Sequence, residues 1–197
     1  MNAMIGTTGR RPARGFSLLE LMIVVGITLV VAAVAIPGVL TATQNFKLRS
    51  TASSASGLIQ KARMLSVARN TYYPVLSSTD TTTNITSIFL GNANDFTGAT
   101  TPTDNTSMIQ VRGMVFDTGS HPSATSIVGT LTPVSTLPIF NPRGSPCFGN
   151  PCQADPNRMY ITFLRQDRSL GTPGWAAINV TPAGRVQVWT WDGSNWQ

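Results

Sequence analysis

The chain has 197 residues, a formal net charge of +6 and only 11% charged residues. That length allows one anchoring helix and one modest globular domain. Of its 14 basic residues, Arg10, Arg11 and Arg14 precede Gly15, which leaves 11 against 8 acidic residues in the remainder. So small an excess excludes a histone-like polycation and permits acidic partners without demanding them.

Residues 1–15 form a basic leader with no acidic residue. Positive charge ahead of an apolar run favours retention on the cytoplasmic side. From Leu18 to Ile36 almost every residue is apolar, and Glu20 is the only charge. A helix of ~20 apolar residues, rising about 1.5 Å per residue, crosses a ~30 Å hydrocarbon layer. A carboxylate at that depth costs roughly 2.5–3.5 kcal/mol or more and calls for a partner. In an ordinary secretory signal the apolar region precedes the cleavage site and is discarded. Here the small residue Gly15 lies before the apolar run, so cleavage there leaves that run on the mature chain with Phe16 first.

The stretch Gly15-Phe16-Ser17-Leu18-Leu19-Glu20-Leu21 resembles the prepilin peptidase site of type IV pilins and type II secretion pseudopilins. The resemblance implies cleavage after Gly15 and N-methylation of Phe16. It also implies pairing of Glu20 with the terminal amine of a neighbouring subunit in a filament. A plain signal anchor with a chance glutamate is the bland alternative. Pro37-Gly38 interrupts the apolar run. Proline removes a helix hydrogen bond and kinks the helix, and a proline at this offset in the pilin family implies a kink rather than a stop.

Residues 38–70 read as an amphipathic continuation of the helix. Val39, Leu40, Phe46, Ala52, Ala55, Leu58, Ile59, Ala62, Leu65 and Ala68 recur at spacings of three and four, with Lys47, Arg49, Lys61, Arg63 and Arg69 largely between them. Asn70-Thr71 and Pro74 end it.

From residue 71 to 197 the pattern is β-rich. Strands are expected over 72–77, 85–90 and 108–116, with a polar turn over 78–84 and a long loop over 91–107. Short strands over 126–134 and 137–140 are divided by Pro133 and Pro138. Residues 142–157 read as loop and carry Cys147 and Cys152. Their spacing suits a small disulfide in an oxidising compartment, with free thiols as the alternative. A metal site needs about four ligands, which the lone His121 cannot complete. In the strand 158–165, Met159, Ile161 and Phe163 are expected inward and Arg158, Tyr160 and Thr162 outward. Strands over 175–180 and 185–191 flank Thr181-Pro182-Ala183-Gly184, a hairpin turn. A long helix followed by strands without intervening helices predicts an α+β fold with antiparallel sheet.

Phe140-Asn141-Pro142-Arg143-Gly144 and Ile178-Asn179-Val180-Thr181-Pro182-Ala183-Gly184-Arg185-Val186 resemble the C-terminal domain of the GspH/FimT branch of minor pilins and pseudopilins. The resemblance implies a pilin-like fold, a long helix packed against two β-sheets. It also implies a single-pass bacterial inner-membrane protein with a periplasmic head, assembled into a pilus or pseudopilus. Other pilins, the assembly platform and prepilin peptidase are the implied partners.

No nucleophile elbow, phosphate loop or zinc-protease motif occurs, so neither enzymatic activity nor a cofactor is expected. Asp155 and Asp167 are the only pair of carboxylates worth weighing, and scattered aspartates are usually solvated. Some FimT-like minor pilins bind DNA through basic residues near the Gly-Arg motif, which places that role on Arg185; Arg143 could extend the patch only if folding brings it near. Where a further basic residue is frequent in the DNA-binding members, this chain has Gln187. Arg185, Gln187, Trp189 and Trp191 share a face of a regular strand, so an arginine beside aromatics could hold phosphate and stack a base. The bland alternative packs both tryptophans under a loop. Arg158, Arg165 and Arg168 could extend the patch only if folding gathers them.

Overall fold

The computed structural model describes residues 16–80, 82–83, 85–94, 108–117, 119–149, 151–168 and 171–197. The leader, including Gly15, and most of the expected loop over 91–107 lie outside the described residues. The chain divides into two compact units, residues 16–42 being the described part of the first and Thr43–Gln197 the second.

A single helix, α1 (Leu18–Ala68), runs through both units. Ser17 starts it by accepting a hydrogen bond from the Leu19 amide on its hydroxyl, which satisfies one of the orphan donors of a helix N-terminus. Pro37 lies within the helix and does not terminate it. Its end is built by Asn70, whose φ is +50°. The Asn70 amide donates to the Val67 carbonyl and the Thr71 amide to that of Ser66, a Schellman closure with asparagine in the left-handed position.

In the first unit the apolar side chains of α1 are exposed, Leu18, Ile27 and Val34 among them. It is the one described segment long and apolar enough to cross a membrane. In the second unit the helix buries Leu48, Thr51, Ala52, Ala55, Leu58, Ile59, Ala62 and Ser66. Burial therefore begins at Leu48. Val39, Leu40 and Phe46, expected on the packing stripe, are exposed. Thr51, Ala52, Ala55, Ala62 and Ser66 are small, and small side chains let a helix backbone lie close to a sheet.

Two sheets flank this half of the helix. The first contains β1 (Tyr73–Asp80), β2 (Ile85–Leu90), β3 (Met108–Arg112), β6 (Ile139–Phe140) and β7 (Pro146–Cys147) in the order β3-β2-β1-β6-β7. The second contains β4 (Met114–Asp117), β8 (Arg158–Gln166), β9 (Gly174–Val180) and β10 (Val186–Thr190) in the order β10-β9-β8-β4. All these pairings are antiparallel; only β5 (Thr132–Val134) runs parallel to its partner β8. The fold is thus α+β, a long N-terminal helix packed through its second half on a two-sheet β domain.

Five local expectations need correction. Residues 142–157 are not all loop, since Pro146–Cys147 form β7 against β6. Residues 78–80 are strand rather than turn: Ser78, Thr79 and Asp80 pair with Ser87, Thr86 and Ile85. The turn is held by Asp80, whose carboxylate accepts from the Thr82 and Thr83 amides and the Thr83 hydroxyl, holding its pKa below the usual range. The apolar run over 108–116 is two strands in different sheets. Gly113, at φ +73°, makes the break, and the Thr86 hydroxyl bonds the Met114 carbonyl across it at 2.7 Å. Thr125–Val128 is a short helix, α2, rather than strand. Finally, β8 is buried on both faces. Tyr160 and Leu164 join the core beneath the helix, whereas Met159, Ile161 and Phe163 face a second cluster with Ile127, Val128, Trp175 and Trp196. A central strand covered on both sides has no outward polar face to read.

Tyr160 carries a cost of that coverage. It is 3% exposed, and its hydroxyl has no hydrogen-bond partner among the described residues; burial pushes its pKa up to about 12. An unsatisfied buried hydroxyl costs about 1–3 kcal/mol. Tyr160→Phe is therefore expected to hold or raise the melting temperature in thermal unfolding, and a marked fall would show that the hydroxyl has a stabilising partner.

Candidate functional site

The candidate residues fall into two places, one at each end of the chain. At the N-terminal end, Glu20 lies in the first turn of α1. A carboxylate there gains about 0.3–1 kcal/mol from the positive end of the helix. That is well short of the roughly 2.5–3.5 kcal/mol its charge costs in hydrocarbon. Among the described residues Glu20 has no hydrogen-bond or ion-pair partner within its own chain. Phe16 is 80% exposed, four residues upstream.

At the other end, the turn between β9 and β10 forms where expected. The Gly184 amide donates to the Thr181 carbonyl and the Arg185 amide to the Thr181 hydroxyl. A second turn, residues 141–145, is organised by Asn141, whose side-chain oxygen accepts from the Arg143 and Ser145 amides at 3.0 Å. Folding brings the two turns into contact. A Cβ on Gly184 would stand 2.6 Å from the Gly144 carbonyl oxygen. Arg63 of α1 clasps both: its guanidinium donates to the carbonyls of Gly144 (3.0 Å), Gly184 (3.0 Å) and Ala183 (3.3 Å). Arg143 and Arg185, each beside one of these glycines, are both exposed. Arg63 was assigned no role from sequence, because its partners lie 81 to 121 residues away.

The other arginines do not join this corner. Arg158 pairs with Asp155 at 3.0 Å and lies over the Phe148 ring, whereas Arg165 pairs with Asp167 at 3.0 Å near the far end of β8. The two aspartates thus serve separate ion pairs rather than one acid–base site. Arg168 donates to Asn45 of α1. Trp189 donates from its indole to Asn179, and Trp189 and Trp191 both pack on the second core cluster. Trp191 also meets Trp196 at 5.3 Å between ring centroids.

Cys147 and Cys152 are joined in a disulfide, with 5.3 Å between their Cα atoms. His121 stacks on Phe163 at 3.6 Å. Among the described residues no group of His, Cys, Asp or Glu could hold a metal ion. Closing so short a loop contributes roughly 2 kcal/mol in the chain-entropy model. The Cys147→Ser/Cys152→Ser double variant is expected to melt about 4–8 °C lower, at ~2–4 °C per kcal/mol for a domain of this size. Identical melting curves would contradict a stabilising role.

Residues 10–36 match the prokaryotic N-terminal methylation motif, and this span holds Gly15, Phe16 and Glu20. The chain is pilin-like in this segment. The crystal structure of the type IV minor pilin FimU of Pseudomonas aeruginosa strain PAO1 is similar over 79% of this chain and 96% of that one. The identity is 14% and the TM-score 0.46. No curated protein matches the sequence.

Proposed function

We propose that the chain is a minor pilin or pseudopilin. It is a structural subunit that assembles through its N-terminal helix into a type IV pilus or a type II secretion pseudopilus. One observation carries this reading: an N-terminal methylation motif over residues 10–36 takes in the start of an exposed apolar helix whose single carboxylate, Glu20, has no partner among the described residues. Prepilin peptidase would remove residues 1–15 and leave the amine of Phe16, whose charge N-methylation preserves. Before assembly the apolar helix spans the inner membrane once, with the head in the periplasm. In a filament it packs on the helices of other pilins above the assembly platform. Exposed apolar surface on this scale needs lipid or protein around it. The test is co-expression with a pilus or pseudopilus machinery, followed by shearing. Recovery of the chain with the filaments supports the reading, and confinement to membranes overturns it.

A second reading, a FimT-like subunit that binds DNA during uptake, is favoured by the corner at Arg63. The contact between the two turns places Arg143 and Arg185 on neighbouring exposed loops. Guanidinium groups on adjoining turns can each neutralise a phosphate. Trp189 and Trp191 are given no part, since their indoles pack on the core. The full chain in detergent is expected to retard duplex DNA, and Arg143→Gln with Arg185→Gln should flatten the salt dependence by about two in the logarithmic slope. Binding unchanged in the double variant would remove the corner from consideration.

A further inference from the structure

A separate cavity lies where α1 passes the open end of the β9–β10 hairpin. It has a volume of about 260 Å³ and is lined mainly by polar groups, among them Asn45, Arg49, Arg168, Trp175, Trp191 and Asp192. We propose that it binds a carboxylated monosaccharide unit, a uronate or sialate, with Arg168 and Arg49 holding the carboxylate.

Charge is the first argument. Arg158 and Arg165 are matched by aspartates, whereas Arg49 and Arg168 have no carboxylate partner among the described residues. The cavity's one acid is already engaged. Asp192 accepts from the Ser194 and Asn195 amides and from the Gln197 side chain, and these bonds hold its pKa below the usual range. Two guanidinium groups against one carboxylate leave the cavity with one net positive charge, which suits a monoanion.

Construction is the second argument. Arg168 is placed rather than loose. It donates to Asn45 of α1, and its guanidinium occupies the room that Gly174 leaves by lacking a side chain. A Cβ at that position would stand 2.5 Å from Nη2 and 3.0 Å from Nε. A guanidinium held in this way is preorganised to meet a carboxylate.

The remaining lining selects among anions. The oxygens of Asn45 and Asp192 can accept from the hydroxyls of a sugar. The same acceptors oppose a phosphate dianion, which brings more negative charge and no donors. The volume falls just below the ~300–1,000 Å³ of sites for drug-sized ligands and suits one sugar ring.

The test uses the full chain in a polyoxyethylene detergent, which carries no sugar headgroup. Glucuronate and N-acetylneuraminate are titrated against tryptophan fluorescence and saturation-transfer NMR, with glucose and inorganic phosphate alongside. Saturable binding of at least one acidic sugar, absent for glucose, is expected. Arg49→Gln, at an exposed position, and Arg168→Gln should each weaken it about tenfold. Arg143→Gln, outside the cavity, should leave it unchanged. Failure of both acidic sugars to bind, equal binding of glucose, binding of phosphate alone, or unaltered affinity in both cavity variants would overturn the proposal.

Discussion

Glu20→Ala is expected to leave the chain in the membrane and to remove it from filaments. The energetics act twice in the same direction. A carboxylate at bilayer depth costs roughly 2.5–3.5 kcal/mol, so alanine makes the isolated anchor more stable where it already is. In the proposed filament alanine would also leave the positive amine of a neighbouring subunit's Phe16 without its counter-charge, and an unpaired buried charge is strongly destabilising. Assembly thus becomes harder to reach and less favourable once reached. At 1.4 kcal/mol per factor of ten, losing about 3 kcal/mol per subunit lowers incorporation by roughly two orders of magnitude. Glu20→Asp keeps the charge one methylene short and should retain part of it. The measurement is the ratio of sheared-filament to membrane-bound chain by immunoblot. An alanine variant incorporated at wild-type level would show that Glu20 serves only the helix terminus, where its contribution is about 0.3–1 kcal/mol.

The largest effect on the head should come from the joint between its two turns. Gly184→Ala places a Cβ where φ is +79° and where the Gly144 carbonyl oxygen is 2.6 Å away. The left-handed conformation alone costs an L-residue about 1–2 kcal/mol. The close backbone oxygen cannot rotate aside as a side chain could, so a total near 3 kcal/mol is expected. Arg63→Met removes three charge-assisted bonds to carbonyls, and water can replace part of them at this half-buried site. About 2 kcal/mol is expected. Both changes open the same contact, so their effects should fall short of adding by about 1 kcal/mol in a double-mutant cycle read by chemical denaturation. Strict additivity would mean that Arg63 and the glycine turn are independent. Arg63 thus has a structural role that bears on the basic corner: if the joint opens, Arg143 and Arg185 separate.

Both ends of the chain were legible in the sequence, and much of the middle was not. The apolar run with one carboxylate and the Thr181–Gly184 turn are local patterns, and local patterns survive without knowledge of the fold. The register of the β9–β10 hairpin follows from that turn, with Val186 opposite Val180. In the run over 108–116 apolar residues lie on both sides of Arg112-Gly113, and only a change of sheet distinguishes one strand from two. The four-residue α2 is too short to express a helical period. Tyr160 and Thr162 were read as outward because strand alternation assumes one solvated face, and α1 covers that face. The place where burial begins on α1 was also hidden. Phe46 and Leu48 are both large and apolar, yet only Leu48 meets the sheets. The clasp by Arg63 and the Arg168 cavity are contacts between distant segments, which no single window of sequence contains.

The central claim is that this chain is processed at Gly15 and retains its apolar helix as an assembly surface. Intact mass spectrometry of the chain from cells with a prepilin peptidase tests it most directly. The account predicts a mature species that begins at Phe16, carries one methyl group on its amine and is recovered with sheared filaments. A species that keeps residues 1–15, or one cleaved beyond the apolar run so that Glu20 is lost, would contradict it.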